Sequence, residues 1–347
     1  MNDRHLSNRA RWLKALPTAF FLALLCLLAF PARAATLYLS PTGSDTAAGT
    51  SPDQALATLP AAWDKARAVT PGEAVTIVVL PGTYRAQTLI IDARVQRGPI
   101  VITGDRTAGE LPAFVGDGTG TWLHYRGTLG RDSGLTVRAF RIAHYATAIS
   151  LDGNRTDPAA FNRGTVLTDL AIEDIGSGSG GAGNDNAAPS TAAIRLVNAH
   201  DTTIRAIAFR RIRTADPARC AGLHAIYLAS HARGAMITGN TFTDFCGSAI
   251  KLRDDSGDAV IDGSRFAAGS AAPAIEEWFC DMARTTACTK PQGECPSTGI
   301  RIGANDFGDM PVRRRVMVRG TRLQRPWCPP GSAAAPRFVF ADGHTLP

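Results

Sequence analysis

The chain has 347 residues with 45% hydrophobic content, 34 glycines and few aromatics, long enough for a large core in one elongated domain or two compact ones. Its formal charge of +7 is concentrated at the start: residues 1–34 hold five of the 37 Lys and Arg and one of the 30 Asp and Glu, leaving 32 against 29, about +3. A nucleic-acid or membrane-surface role resting on a high pI is thereby excluded.

In chain order, a cationic start (Arg4, Arg9, Arg11, Lys14) leads into an apolar run from Ala15 to Phe30 and then Ala32-Arg33-Ala34. This predicts a secretory signal peptide over 1–34 with an A-x-A cleavage site. The run is shorter than the ~20 residues of a spanning helix, so the expectation is a secreted or periplasmic protein without membrane insertion after cleavage. Six cysteines follow: Cys220, Cys246, Cys280, Cys288, Cys295 and Cys328. An even count in an exported chain predicts up to three disulfides, with the pairing left open. No C-x-x-C occurs, and no zinc site is expected.

Residues 53–68 carry apolar residues at helical spacing (Leu56, Leu59, Trp63, Ala66) and predict a short helix ahead of the strand sequence VTIVVLPGTY. From Val137 onward a first template recurs, an aliphatic residue followed after four positions by a large apolar one. It fits Val137/Ile142, Leu167/Ile172, Ile204/Phe209, Ile237/Phe242, Ile261/Phe266 and Val318/Leu323. A second template, small-Ile-x-(Leu/Ile), reads AISL at 148–151, AIRL at 193–196, AIYL at 225–228, AIKL at 249–252 and GIRI at 299–302. Short strands recurring at coil length bury their apolar faces only by stacking coil on coil. The predicted fold is all-β: one parallel β-solenoid domain over 35–347 with a short N-terminal capping helix at about 53–70. A β-sandwich would need hairpin turns, and Asp262-Gly263 falls inside a template where a hairpin would break the repeat.

The long connections 176–191, 213–223 and 267–297 each precede the second strand type and are expected to wall a groove floored by it. Cys220 and Cys246 share this phase on consecutive coils, within reach of each other. On the second strand type the residue after isoleucine faces outward. It reads Ser150, Arg195, Tyr227, Lys251 and Arg301, while the residue before it reads Ala148, Ala193, Ala225, Ala249 and Gly299. The expectation is a column of long polar side chains beside a stripe of small ones. Lysine is scarce, with only Lys65, Lys251 and Lys290 after residue 34, so composition does not account for Lys251. Stacked cations without interposed anions suit carboxylate groups, which points to an acidic polysaccharide as partner and to a monomer working on it.

The segments LYLSPTGSDTAAGTSPDQALATLPAAWDKA and PGEAVTIVVLPGTYR, and coils such as HAIYLASHARGAMITGNTFTDFCGSAIKL, resemble right-handed parallel β-helix proteins of the pectate-lyase-like superfamily. That resemblance covers most of the chain after residue 34 and implies the fold. The superfamily holds lyases, glycoside hydrolases, uronate epimerases and non-catalytic adhesins. Similarity to chondroitinase B-like and alginate lyases implies a Lys and an Arg on exposed strands, roles open to Lys251 and Arg301. No Asn-Gly-Glu calcium signature is present, and the polygalacturonase pattern stops at Asp254-Asp255.

β-Elimination on a uronic acid needs a cation for the carboxylate, a base for the C5 proton and an acid for the leaving oxygen. Arg195 and Arg301 suit the first and Lys251 the second, with Tyr227 as alternative base or as acid. His224, three residues upstream, belongs either to this set or to a backbone-bonded turn. The rival is a hydrolase carboxylate pair, ~5–9.5 Å apart, drawn from Asp254, Asp255, Glu276 and Glu277 beside Trp278 in the largest loop. The aspartates also read as a solvated turn, the usual role of such a sequence at a strand end, or as a calcium site. The expected function is a polysaccharide lyase without cofactor, calcium being the open alternative. A non-catalytic carbohydrate-binding or assembly β-helix and a glycoside hydrolase are the other readings.

Overall fold

A computed structural model describes residues 34–69, 71–96, 98–176, 192–267, 272–281, 288, 292–319, 325–332 and 334–346. The signal peptide expected over 1–34 falls, apart from Ala34, outside the described residues. Among the described residues no helix is long and apolar enough to cross a membrane.

The expected helix is shorter than 53–68. A single 3-10 turn, Pro52–Gln54, precedes a helix at Leu59–Ala66. Thr58 starts it, its hydroxyl accepting the Ala61 N–H at 3.3 Å, and Pro60 fits the first turn, where its missing N–H costs nothing. Leu56 instead bridges to Leu39 of the first strand. Leu59, Ala62, Trp63 and Ala66 form the buried face, packed against strands Ala35–Leu39 and Leu89–Asp92.

The remaining described residues wind through three long sheets of eleven, seven and eight strands, here called A, B and C, and a short fourth of three. Every ladder is parallel except the last, Phe338–Phe340 with Thr345–Leu346. Successive coils pair in register, giving continuous inward columns. In sheet A the column runs Val137, Leu167, Ile204, Ile237, Ile261, Ile302. In sheet B it runs Ile142, Ile172, Phe209, Phe242, Phe266. Sheet C carries Ile149, Ile194, Ile226, Ile250, Ile275. Phe209, Phe242, Phe266 and Phe307 stack at 4.9, 4.8 and 5.1 Å, close to the strand spacing of ~4.7–4.9 Å. The stacked parallel sheets are those of a β-helix.

The first template's fixed spacing has a backbone cause. Between its two apolar residues lies one left-handed residue, Ala139, Asp169, Ala206, Gly239 or Gly263, with φ of 67, 56, 54, 64 and 59°. This single-residue corner turns the chain from sheet A to sheet B, which places Asp262-Gly263 in a coil corner rather than a hairpin.

The last coils depart from the predicted phase. Residues 299–302 lie in sheet A, where Arg301 pairs with Val260 and Val339. Val318 belongs to sheet C, opposite Glu277, and Leu323 falls outside the described residues. The missing sheet C strand is Ile275–Trp278. Its Ala-Ile-Glu-Glu breaks the second template at the final position, where Glu277 turns inward. Glu277 and Arg337 are both 0% exposed, with Arg337 Nη1 donating to Glu277 Oε2 at 2.7 Å and the Ser297 N–H to Oε1 at 2.9 Å. Burial pushes the Glu277 carboxyl up to about 7, against the opposing pull of Arg337.

Candidate active site

Sheet C's outward face carries the site. The register aligns Ser150, Arg195, Tyr227, Lys251 and Glu276 on consecutive strands. Four of the five expected column residues are therefore neighbours, and Arg301 is not: it stands exposed on sheet A, and Glu276 takes its place. The Gly-Ile-Arg-Ile sequence fits any strand with alternating inward residues, so pattern alone did not assign its sheet. Glu276 and Glu277 lie on a floor strand rather than in a wall loop.

The small-residue stripe is also corrected. Ala148, Ala193, Ala225, Ala249 and Ala274 are 0% exposed members of the main core. The ladder pairs residues on either side of Ala193 and Ala225 but skips the alanines themselves. Two consecutive residues thus face inward there, and the preceding position turns out into the groove. That position holds His224 and Ser248, both lining the same cavity as Tyr227 and Lys251. His224 is a strand residue of the site, not a turn.

This first cavity measures about 540 Å³. Lys251, 8% exposed, sets Nζ 3.1 Å from Glu276 Oε2. Ser248 Oγ donates to the same oxygen at 2.8 Å, and Arg319 Nε donates to Oε1 at 2.7 Å. Burial opposes charge on Glu276, yet Lys251, Ser248 and Arg319 together hold its carboxyl below the usual carboxylate range. Burial lowers the Lys251 ammonium, with Glu276 resisting the shift. Tyr227, also 8% exposed, is raised by burial, with Arg253 opposing. His224 lies parallel to Tyr227 with centroids 5.8 Å apart. Its Nδ1 is 3.2 Å from the Ser248 carbonyl, an oxygen that only accepts, so Nδ1 carries the proton and Nε2 the lone pair. Burial, then the charge of Lys251, hold this imidazole down to about 3, neutral at physiological pH.

Beyond Tyr227 and Arg253, which line both, a second cavity of about 720 Å³ continues the groove. Arg253 donates Nε and Nη2 to Glu294, each at 2.6 Å, and its guanidinium lies 4.4 Å from the Trp278 ring centroid, with Lys251 Nζ at 5.3 Å. Trp278 thus bridges the two cations on the outward face. Arg195 is already engaged, donating to Ser150 Oγ at 2.9 Å and to Asp152 at 2.7 Å, so the expected run of uncompensated cations contains interposed anions at Asp152 and Glu276. Asp254 and Asp255 adopt left-handed φ of 55 and 59°, as turn residues do. Asp254 borders the second cavity, while Asp255 is held by Arg233 at 2.5 Å and His231 at 2.8 Å. Glu277 is removed from the site by its burial against Arg337.

Wall segment 213–223 is held by Cys220–Cys246, as its phase predicted; Cys280–Cys288 and Cys295–Cys328 complete the disulfides. Of the walls expected at 176–191 and 267–297, residues 177–191 and much of 268–291 lie outside the described residues. Among the described residues no group of three or more His, Cys, Asp or Glu is gathered that could hold a metal ion. The site residues not singled out from sequence are Arg219, Ser248, Arg253, Glu294 and Arg319. Alternation from Lys251 places Arg253 on the same face and was a usable signal; the others had none.

No family model matches the sequence, and no curated protein does. Among solved structures the chain is similar to an alginate lyase from Paenibacillus, at 15% identity over 70% of this chain and 71% of that one, TM-score 0.49. It is similar to a pectate lyase at 11% identity over 82% and 74%, TM-score 0.36. It is also similar to a lacto-N-biosidase from Eubacterium ramulus at 12% identity over 78% and 55%, TM-score 0.42. At these values the likeness assigns no activity. The fold expected from the sequence, a parallel β-helix, is the one that the stacked sheets A, B and C display.

Proposed function

We propose that the protein is an exported polysaccharide lyase that cleaves a uronic acid-containing chain by β-elimination in the groove on sheet C. The observation that carries this reading is a buried lysine of lowered pKa beside a buried tyrosine of raised pKa, in adjacent register. They share a cavity whose charged lining, among the described residues, is Arg219, Lys251, Arg253 and Arg319 against one carboxylate, Glu276. Three disulfides suit an oxidising compartment.

In this reading Lys251, neutral in the productive form, removes the C5 proton, and the electron pair forms the C4–C5 double bond as the C4–O bond breaks. Tyr227, held protonated by its raised pKa, gives its proton to the departing oxygen. The new Lys251 ammonium then sits 3.1 Å from Glu276, which stabilises it. Arg319 and Arg219, with side chains 55% and 50% exposed, neutralise the substrate carboxylate in place of Arg195 and Arg301. Neutral His224 orients Tyr227 by stacking. Glu276, whose carboxyl Lys251, Ser248 and Arg319 lower against the effect of burial, is a poor general acid, which counts against the hydrolase reading.

Incubating the protein with alginate, pectate, glycosaminoglycans and bacterial exopolysaccharides, with and without calcium, is the test. The expected product absorbs in the ultraviolet through its unsaturated uronate, and Lys251→Ala lowers that rate by roughly 10²–10⁴-fold. Reducing ends without unsaturation would mean hydrolysis, and ligand retention without product a binding protein. An elimination rate unchanged in Lys251→Ala would remove Lys251 from the role of base.

A further inference from the structure

Arg253 takes no part in the chemistry above, yet it is held from several sides. Its Nε and Nη2 donate to the two carboxylate oxygens of Glu294, each at 2.6 Å, and its guanidinium lies 4.4 Å from the Trp278 ring centroid. Glu294 is fixed in turn. Its Oε2 accepts the Cys280 N–H at 2.8 Å, and its own N–H donates to the Cys280 carbonyl at 2.8 Å. Cys280 is bridged to Cys288, and Cys295, next to Glu294, is bridged to Cys328. A bidentate pair whose side chains are 23% and 5% exposed leaves the guanidinium little freedom to swing.

The fixed guanidinium faces Tyr227. Tyr227 pairs with Lys251 across the ladder, Arg253 stands two residues beyond Lys251 on the same face, and Tyr227 and Arg253 both line the two cavities. Their side chains are hydrogen-bonded. A guanidinium only donates, so the phenol oxygen accepts and its own hydrogen points away from Arg253. When that hydrogen leaves, the charge developing on the oxygen meets a cation already in place. Glu294 balances the same cation, which favours the intact hydroxyl at rest.

We propose that Arg253 is a positioning residue for Tyr227: clamped by Glu294 of the wall, it turns the hydroxyl hydrogen into the cavity and steadies the phenolate left when that hydrogen is transferred. This rests on the function proposed above only in giving Tyr227 the role of acid.

The test is ultraviolet titration of Tyr227, taken as the difference between each protein and its Tyr227→Phe counterpart, beside elimination kinetics. Among the described residues, the groups facing Tyr227 are Arg195 and Lys251 on the flanking strands, the stacked His224, Arg253, Glu294, and Arg155 from the loop after Thr147–Asp152. Arg253→Gln removes a cation and should move the titration to higher pH. Glu294→Gln removes the balancing charge and should move it lower. Opposite shifts are the signature, because a merely structural pair would loosen the site in the same way from either side. In elimination, Arg253→Gln should lower kcat by roughly 10²-fold with KM little changed, and should cost nothing further once Tyr227 is Phe. A raised KM with kcat intact would mean that Arg253 grips substrate instead, and overturns the inference, as do losses that add in the double variant. Should Arg253→Gln fail to fold, Glu294→Gln decides alone, and a titration that stays or rises overturns the inference. Opposite shifts without unsaturated product leave Arg253 setting Tyr227 and remove elimination. Unsaturated product with a titration that neither variant moves does the reverse.

Discussion

Lys251 and Glu276 are coupled, and the coupling sets when Lys251 is a base. Burial lowers the lysine while the carboxylate 3.1 Å away works against that shift. The acid limb of kcat/KM reports the free enzyme's base, since activity rises with pH as Lys251 loses its proton. Glu276→Gln keeps the side chain's shape and removes the charge that favours the ammonium, so the lysine's pKa falls further. The limb should move to lower pH, measured by initial rates across the pH range; an unmoved or upward-shifted limb would show that Lys251 is not the group titrating. Tyr227 bears on the opposite requirement. Its hydroxyl must stay protonated, as burial favours, and Tyr227→Phe should lower elimination by about 10²–10⁴-fold with the fold retained, read from rate and far-ultraviolet circular dichroism together. At this scale much of the site was legible. Alternation and the scarcity of lysine pointed to Tyr227 and Lys251, and the same alternation reaches Arg253 two residues on. Ser248 and the outward placement of His224 were hidden, because the irregularity at the alanines turns two successive residues inward and shifts the outward set by one.

Among the elements, strand Ile275–Trp278 shows why the last coils were misphased. Its neighbours place Leu252 and Val318 where it carries Glu277, so an aliphatic template passes over it and takes the next match, 299–302, on another sheet. The charge is tolerated because Arg337, from a segment 60 residues later, reaches it across the core at 2.7 Å. Such a long-range partner cannot be read from local pattern. Glu277→Ala should cost about 3–5 kcal/mol, since it leaves a buried guanidinium without its carboxylate. Glu277→Leu combined with Arg337→Met should recover most of that loss, because apolar residues of similar size avoid the desolvation of both charges. Denaturant unfolding of the three proteins decides it; a double variant as unstable as the single one would mean that the ion pair contributes net stability of its own.

Taken as a whole, the molecule is a stack in which each coil contacts its neighbours, so a local loss should stay local. The Cys295–Cys328 disulfide closes 33 residues and links the wall of the second cavity to the segment before strand Phe338–Phe340. A bridge of this span contributes typically about 2–4 kcal/mol in a small cooperative protein, where the loss would be felt everywhere. In a stack the same loss is expected to fall on the terminal coils. The Cys295→Ser, Cys328→Ser variant should therefore show faster amide hydrogen exchange in Ile300–Ile302 and Phe338–Phe340, with Leu135–Arg138 and Val166–Thr168 unchanged. Uniformly faster exchange across all coils would instead mean that the β-helix unfolds as one cooperative unit and that the bridge supports the entire stack, leaving the cavity wall no independent stability to tune.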